Sequence, residues 1–224
     1  MTLQHAALET RHNLERRSRV KEHPRFFFPD GTVIFLVENT LYRVHRYFFE
    51  RDSAVFASMF TLPSAASQRP EGEVVENPIV LEGVSAVDFD RFLSIMYPSN
   101  FTARDIASAE EWTSVLSLAS RWDFTSLRDL AMQHLFVTTS AVERIALGRR
   151  YDILEWLVPA YTEVCERKDP LTLAEGRLLG VDDAICIAQV RHMIRYSANL
   201  NRHHDSVVAL VRDVLFRLGD VFAP

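Results

Sequence analysis

The amino-acid sequence predicts an α+β fold in which helices dominate. Two segments near the start, residues 32–37 and 41–45, are rich in β-branched and aromatic side chains and are typical of paired strands. A short apolar segment over residues 79–81 predicts another strand. The rest of the chain carries helix-start signals and apolar residues at helical spacing. Because strands and helices do not alternate, doubly wound sheets and barrels are excluded.

The first two strands are predicted to form a hairpin. Residues 29–31 (PDG) are turn formers directly before the first strand, and residues 38–40 (ENT) supply a tight turn between the two. The strand at residues 79–81 then packs beside the hairpin, so we expect a short sheet of three strands. Between them, residues 62–78 hold several prolines and serines but few large apolar residues, which predicts an exposed loop.

Helices follow, and their first turns are marked by capping signals. Residues 47–60 predict two short helices that are separated at Asp52 and Ser53. Four later helices begin with a hydroxyl residue and a carboxylate three residues apart, a pair that satisfies the free amides of a first turn. These pairs are Ser85 with Asp88, Ser108 with Glu111, Ser140 with Glu143, and Thr172 with Glu175. Trp112, Trp122 and Trp156 lie on apolar helical faces and are predicted core residues.

The composition predicts a globular protein of a reducing compartment. The 224 residues are 48% apolar and have a formal charge of -5, which disfavours binding to nucleic acid. Cys165 and Cys186 are too few for a disulfide framework or a thiolate zinc site. The first residues are polar, unlike an export signal, and no apolar run approaches the roughly 20 residues of a membrane helix. We therefore expect an intracellular protein of cytoplasm or nucleus that does not contact membranes.

Motifs of catalysis and cofactor binding are not visible in the sequence. The seven glycines form neither a dinucleotide-binding turn nor a phosphate-binding loop. Cys165 lies in the middle of a predicted helix, where a buried structural thiol is expected. His203 and His204 are adjacent, so they cannot both face inward on a helix, and no further ligand set supports a metal site. We expect no catalytic residues, cofactor, metal or small-molecule substrate.

Several segments occur in an order that matches a known family. Residues 33–37 (VIFLV), 42–46 (YRVHR) and 53–60 (SAVFASMF) are followed by the strand at 79–81, a helix over 89–97 and two helices over 112–119 and 127–135. This order resembles a BTB/POZ domain over residues 25–137. The resemblance implies a BTB/POZ-like fold, a short three-stranded sheet with helices, preceded by a polar tail over residues 1–24. An all-helical C-terminal extension over residues 138–224 follows it.

A narrower resemblance extends beyond this domain. Residues 28–31 (FPDG), 76–81 (ENPIVL), 120–124 (SRWDF) and 159–161 (PAY), with Leu171, Thr172 and Glu175, are similar to a large fungal, basidiomycete-type group of BTB-containing proteins. Two departures from the wider family matter. Thr32 stands where many members have aspartate at the first strand, and residues 87–91 (VDFDR) give no clear match to the hydrophobic-x-Glu element that binds a cullin.

The first predicted helix holds a candidate self-association surface. Tyr47, Phe48 and Phe49 occupy consecutive helical positions, which span too wide an arc for one buried face. Some aromatic surface should therefore remain exposed. Because the first helix of BTB/POZ domains contributes to self-association, the resemblance implies a homodimer that uses Tyr47, Phe48 and Phe49.

The last predicted helix has an apolar stripe with two interpretations. Its members at helical spacing are Val207, Leu210, Val211, Val214 and Leu218. Packing of this stripe against the other helices is favoured, and binding of a partner helix is the alternative.

The resemblance implies a non-enzymatic protein–protein interaction module that acts by self-association or partner recruitment through a BTB/POZ domain. One alternative is a substrate adaptor of a cullin-type ubiquitin ligase. The other is an enzyme of unrecognised type, which would need a deep pocket with convergent titratable residues.

Overall fold

The computed structural model describes residues 20–62, 70–196 and 203–219, with side chains as far as Val214. The predicted tail up to residue 19 lies outside the described residues. The chain forms two compact units, divided between His134 and Leu135. Four strands and ten helices are found in the described ranges, which confirms the helix-dominated α+β fold.

The first unit contains the sheet and the helices of the first half of the chain. Its elements are β1 (Lys21–Phe27), β2 (Val33–Val37), β3 (Thr40–Val44), α1 (Arg46–Asp52), α2 (Ala54–Thr61), β4 (Ile79–Val80), α3 (Ala86–Met96) and α4 (Ala109–Arg121), with α5 (Thr125–Thr138) running into the second unit. The second unit continues with α6 (Ala141–Arg150), α7 (Leu154–Glu166), α8 (Leu173–Leu179), α9 (Val181–Tyr196) and α10 (His204–Gly219).

The sheet is mixed, with strand order β1-β3-β2-β4. The predicted hairpin is confirmed, since β2 and β3 pair antiparallel from Val33 opposite Val44 to Val37 opposite Thr40. Its tight turn places Glu38 at a φ of 54°, the left-handed conformation that two-residue hairpin turns require. The predicted third strand is β4, which pairs parallel to β2.

The predicted count of three strands is corrected by β1, a fourth strand that pairs parallel to β3. Its first residues, 21–24, fall in the predicted tail. The segment is polar because it lies at an edge of the sheet, where one side of a strand needs no buried partner. The ring of His23 fixes it by stacking 4.9 Å from Phe26 and 4.8 Å from Tyr42, while its Nδ1 accepts the amide N–H of Phe26.

The core of the first unit is a cluster of aromatic rings between the sheet and the helices. The phenyl ring of Phe35 on β2 lies 4.9 Å from Phe49, 5.6 Å from Phe56 and 5.9 Å from Phe89. Phe92, Trp122 and Phe124 extend this cluster. Trp112, Trp122 and Trp156 are all buried, as predicted.

The predicted capping signals are found at the helix starts. The hydroxyls of Ser108, Ser140 and Thr172 form reciprocal capping boxes with Glu111, Glu143 and Glu175 at α4, α6 and α8. At α3 the hydroxyl of Ser85 accepts the amide N–H of Asp88. The amide N–H groups of a first helical turn have no carbonyl partner within the helix, and these side chains supply one.

Candidate interaction surface

Helix α1 presents two of its three consecutive aromatic residues at the surface. The side chain of Tyr47 is 62% exposed, and that of Phe48 is half-buried. Their rings stand 5.6 Å apart in an edge-to-face arrangement. The expectation that this helix leaves aromatic surface exposed is therefore confirmed.

Phe49 is a core residue, which corrects its assignment to the self-association surface. Its side chain is completely buried. Its ring contacts Phe35, Phe56 and Phe124 at centroid distances of 4.9, 5.0 and 5.7 Å. Consecutive residues of a helix point about 100° apart, so when Tyr47 faces solvent Phe49 turns toward the sheet.

Arg51, one turn after Tyr47, completes the exposed face of α1. Its guanidinium lies 5.4 Å from the centroid of the Tyr47 ring and 5.2 Å from that of Phe48. It also donates two hydrogen bonds, of 2.7 and 2.5 Å, to the carboxylate of Asp52, which holds the pKa of Arg51 above its usual range. We call Tyr47, Phe48, Arg51 and Asp52 the α1 surface.

Side chains beneath α1 hold this surface in place. The ring of Phe48 packs edge-on against Tyr97, whose hydroxyl accepts the backbone N–H of His45 at 3.0 Å. Phe28 also packs against Tyr97, with 4.9 Å between the ring centroids. Sequence reasoning missed both Phe28 and Tyr97 as supports, although Phe28 begins the FPDG segment and Tyr97 ends the predicted helix over residues 89–97.

His45 lies directly before α1, where its side chain and backbone join α1 to neighbouring elements. Its Nδ1 lies 3.2 Å from the hydroxyl of Tyr97, and its Nε2 lies 3.4 Å from the carboxylate of Asp30. The hydrogen bond from His45 lowers the pKa of Asp30, whereas burial raises the pKa of Tyr97. Because its pKa is raised, Tyr97 keeps its proton at neutral pH and is suited to hydrogen bonding rather than to proton transfer.

The apolar stripe of α10 packs inside the second unit, as the favoured interpretation predicts. Val207, Leu210 and Val211 are buried in one cluster with residues of α6, α7 and α9, and Val214 packs against that cluster. The alternative interpretation, in which the stripe is exposed and binds a partner helix, is therefore corrected. The chain itself already covers these side chains. The side chain of Leu218 lies outside the described residues.

Cys165, considered as a nucleophile, and His204, considered as a metal ligand, both lie in the second unit. Cys165 is buried, and burial raises the pKa of its thiol to about 12, so the nucleophilic thiolate is scarce at neutral pH. The ring of His204 lies 3.0 Å from the carboxylate of Glu166. In the described ranges, no three His, Cys, Asp or Glu side chains come close enough to hold a metal ion.

A membrane span needs about 20 apolar residues in one helix. None of the described helices meets that requirement.

Comparison with known proteins agrees with the fold of the first unit. The family model described as "BTB/POZ domain" matches residues 29–139, which run from the turn before β2 to the end of α5. A search of curated proteins found no match to the chain. BTB/POZ domains are generally non-enzymatic modules of protein–protein interaction. Residues 29–139 of this chain are therefore a BTB/POZ domain.

Proposed function

We propose that the chain is a protein–protein interaction module that forms a homodimer through the α1 surface of its BTB/POZ domain. The observation that carries this proposal is the exposed ring of Tyr47, held on an ordered helix beside the guanidinium of Arg51. Large apolar side chains that face solvent on a rigid element are typical of sites where another protein binds.

The chemistry of the α1 surface favours contact with a second copy of the same surface. Aromatic residues and arginine are the side chains most enriched in the centres of protein interfaces. The surface also holds both signs of charge, Arg51 and Asp52, side by side. In a two-fold symmetric dimer, each residue of one copy faces the same patch of the other, so Arg51 of one copy can approach Asp52 of its partner.

Side chains beneath α1 hold the α1 surface in an ordered arrangement that is suitable for binding. Phe48 is fixed against Tyr97 and lies 6.3 Å from the ring of His45, in an edge-to-face arrangement. Side chains that are already ordered before association lose little conformational entropy when they bind. The α1 surface therefore needs little rearrangement to form an interface.

Replacement of Tyr47 with arginine tests the proposal. We expect Tyr47→Arg to convert the dimer to monomer, because the introduced charge would face Arg51 and its own symmetry mate across the two-fold axis. Sedimentation velocity at micromolar concentration would measure the change. The side chain is mostly exposed, so the variant should keep the far-UV circular dichroism of the unmodified chain.

Val87→Arg is the matched control. Val87 lies on α3 of the same unit and is 58% exposed, close to the exposed fraction of Tyr47. We expect this variant to remain dimeric. The proposal is contradicted if Tyr47→Arg sediments like the unmodified chain, or if both variants dissociate alike.

Three narrower predictions accompany this proposal. Membership of the fungal, basidiomycete-type group and an intracellular location in cytoplasm or nucleus stay predictions. So does the alternative role as a substrate adaptor of a cullin-type ubiquitin ligase. A pull-down with a purified cullin checks that role, and α3 is the helix on which the sequence gives no clear match to the cullin-binding element.

A further inference from the structure

A groove on the second unit marks a second candidate binding site. It has a volume of about 610 Å³ and is lined by α7 on one side and by α10 on the other. Its apolar lining includes the partly buried side chains of Val158 and Val208, with the ring of Pro159 beside them. Val208 lies outside the stripe of α10 that packs inside the unit, so the groove uses a different face of this helix.

Two carboxylates of the groove already have partners. Glu166 on α7 lies 3.0 Å from the ring of His204 at the start of α10, and this contact joins the two helices. Glu163 accepts a hydrogen bond of 2.5 Å from Arg144 on α6. Because both carboxylates are engaged within the unit, we assign them to holding the groove in shape rather than to binding a partner.

The other two charged residues of the groove are Glu155 and Arg212. Both side chains are exposed, and neither forms a hydrogen bond or ion pair in the part of the chain that the structure describes. Glu155 belongs to α7 and Arg212 to α10, so opposite charges border the apolar lining on its two sides. Pro159 has no backbone N–H, and the carbonyl oxygen of Glu155 therefore lacks its usual helical partner. The α7 side thus offers acceptors to a cation, and the α10 side offers a donor to a carboxylate.

Leu154 adds an apolar side chain that the unit does not cover. It is the first residue of α7, lines the groove and is 66% exposed. A single exposed leucine is common on protein surfaces. Leu154, however, shares one groove with Val158, Pro159 and Val208, so a partner that covers those residues buries the leucine as well and gains from its apolar area.

The two helices that line the groove favour a helix as its occupant. Backbone N–H and C=O groups inside a helix are bonded to each other. An extended segment would therefore find few partners here for its own backbone groups. A helix satisfies its own backbone and can lay an apolar face into the groove, with different residues along its two edges.

We propose that this groove binds an amphipathic helix of a partner protein. Leucines of that helix cover Leu154, Val158 and Val208. A basic residue along one edge pairs with Glu155, and an acidic residue along the opposite edge pairs with Arg212. Opposite charges on the two sides select a helix with one basic and one acidic edge over a uniformly charged one. The groove shares no residue with the α1 surface, and the proposal does not depend on self-association.

Fluorescence anisotropy with the full chain tests this site. The probe is a fluorescein-labelled peptide, at nanomolar concentration, in which the sequence Leu-Ala-Ala-Leu-Lys-Gln-Glu occurs three times. When helical, it carries lysine and glutamate on opposite edges of its leucine face. The comparison peptide has glutamate at each lysine position. We expect saturable binding of the probe and about tenfold weaker binding of the comparison peptide, which meets Glu155 with like charge.

Arg212→Glu tests the charge on the α10 side. We expect it to lower the affinity for the probe about tenfold and to raise the affinity for a peptide with lysine along both edges, because both sides of the groove are then acidic. A variant that merely failed to fold would show no such gain. Arg177→Glu is the matched control, since Arg177 on α8 is exposed and lies outside the groove lining.

Leu154→Asp tests the apolar contact and should also weaken binding of the probe. Leu173→Asp is its control, because Leu173 on α8 is 71% exposed and lies outside the groove lining. Equal affinity of these two variants would overturn the proposal. Equal affinity for the probe and the comparison peptide, or no saturable binding, would do the same. The sedimentation coefficient of Arg212→Glu reports self-association separately, so the two proposals can fail independently.

Discussion

Replacement of Phe35 with alanine is expected to lower the free energy of unfolding of the first unit by about 4 kcal/mol. Phe35 is completely buried at the centre of β2. Its ring contacts Phe49 on α1, Phe56 on α2 and Phe89 on α3, so one truncation leaves a cavity that three helices border. Aromatic pairs at these distances also contribute beyond the area that they bury.

Urea denaturation followed by circular dichroism measures this loss. Phe101→Ala is the control, because Phe101 is 99% exposed and its truncation should leave the free energy of unfolding within about 0.5 kcal/mol of the unmodified value. A loss below about 1 kcal/mol for Phe35→Ala would contradict the aromatic core described above.

Introduction of aspartate at Val211 is expected to release α10 from the second unit. Val211 is only 1% exposed and lies in a cluster with Val164 of α7 and Val190 of α9. A carboxylate at this position would be buried without a partner, at a cost of about 3 kcal/mol or more. Such a cost raises the open population of the helix roughly 100-fold, because each 1.4 kcal/mol corresponds to a factor of ten.

Limited proteolysis followed by mass spectrometry detects this release as faster cleavage within α10. Ala209→Asp is the matched control, because Ala209 lies on the same helix and is exposed. We expect the control to be cleaved at the unmodified rate. If Val211→Asp were cleaved no faster than Ala209→Asp, the stripe would be free of the second unit, and binding of a partner helix would regain support.

The parts of the fold that could be predicted from sequence are those with local signals. The hairpin follows from β-branched residues on either side of a short polar turn. The helix starts at Ser108, Ser140 and Thr172 follow from hydroxyl and carboxylate spacing alone, since both partners of a capping box lie within one turn.

Strand β1 could not be predicted in the same way. Its sequence, KEHPRFF, has neither alternation nor an apolar run, and it contains a proline. The contacts that fix it come from distant residues. The Nε2 of His23 lies 3.2 Å from the carboxylate of Asp90 on α3, and the Lys21 amide donates to the carbonyl of Asn39 at 2.9 Å. Periodicity cannot reveal pairing of this kind.

The α1 surface shows the same difference between features that local sequence signals reveal and features that depend on contacts with distant residues. Three consecutive aromatic residues identified α1 as a candidate surface. Helical spacing alone does not tell which of the three rings turns inward, so the burial of Phe49 could be seen only in the structure.

The solution mass of the unmodified chain tests the central proposal most directly. Multi-angle light scattering across a concentration series would measure it. Self-association through the α1 surface predicts twice the chain mass of 25.7 kDa at micromolar concentration, with dissociation only on dilution. A mass of one chain at every concentration would contradict the proposal and direct the search to a different protein partner for Tyr47 and Arg51.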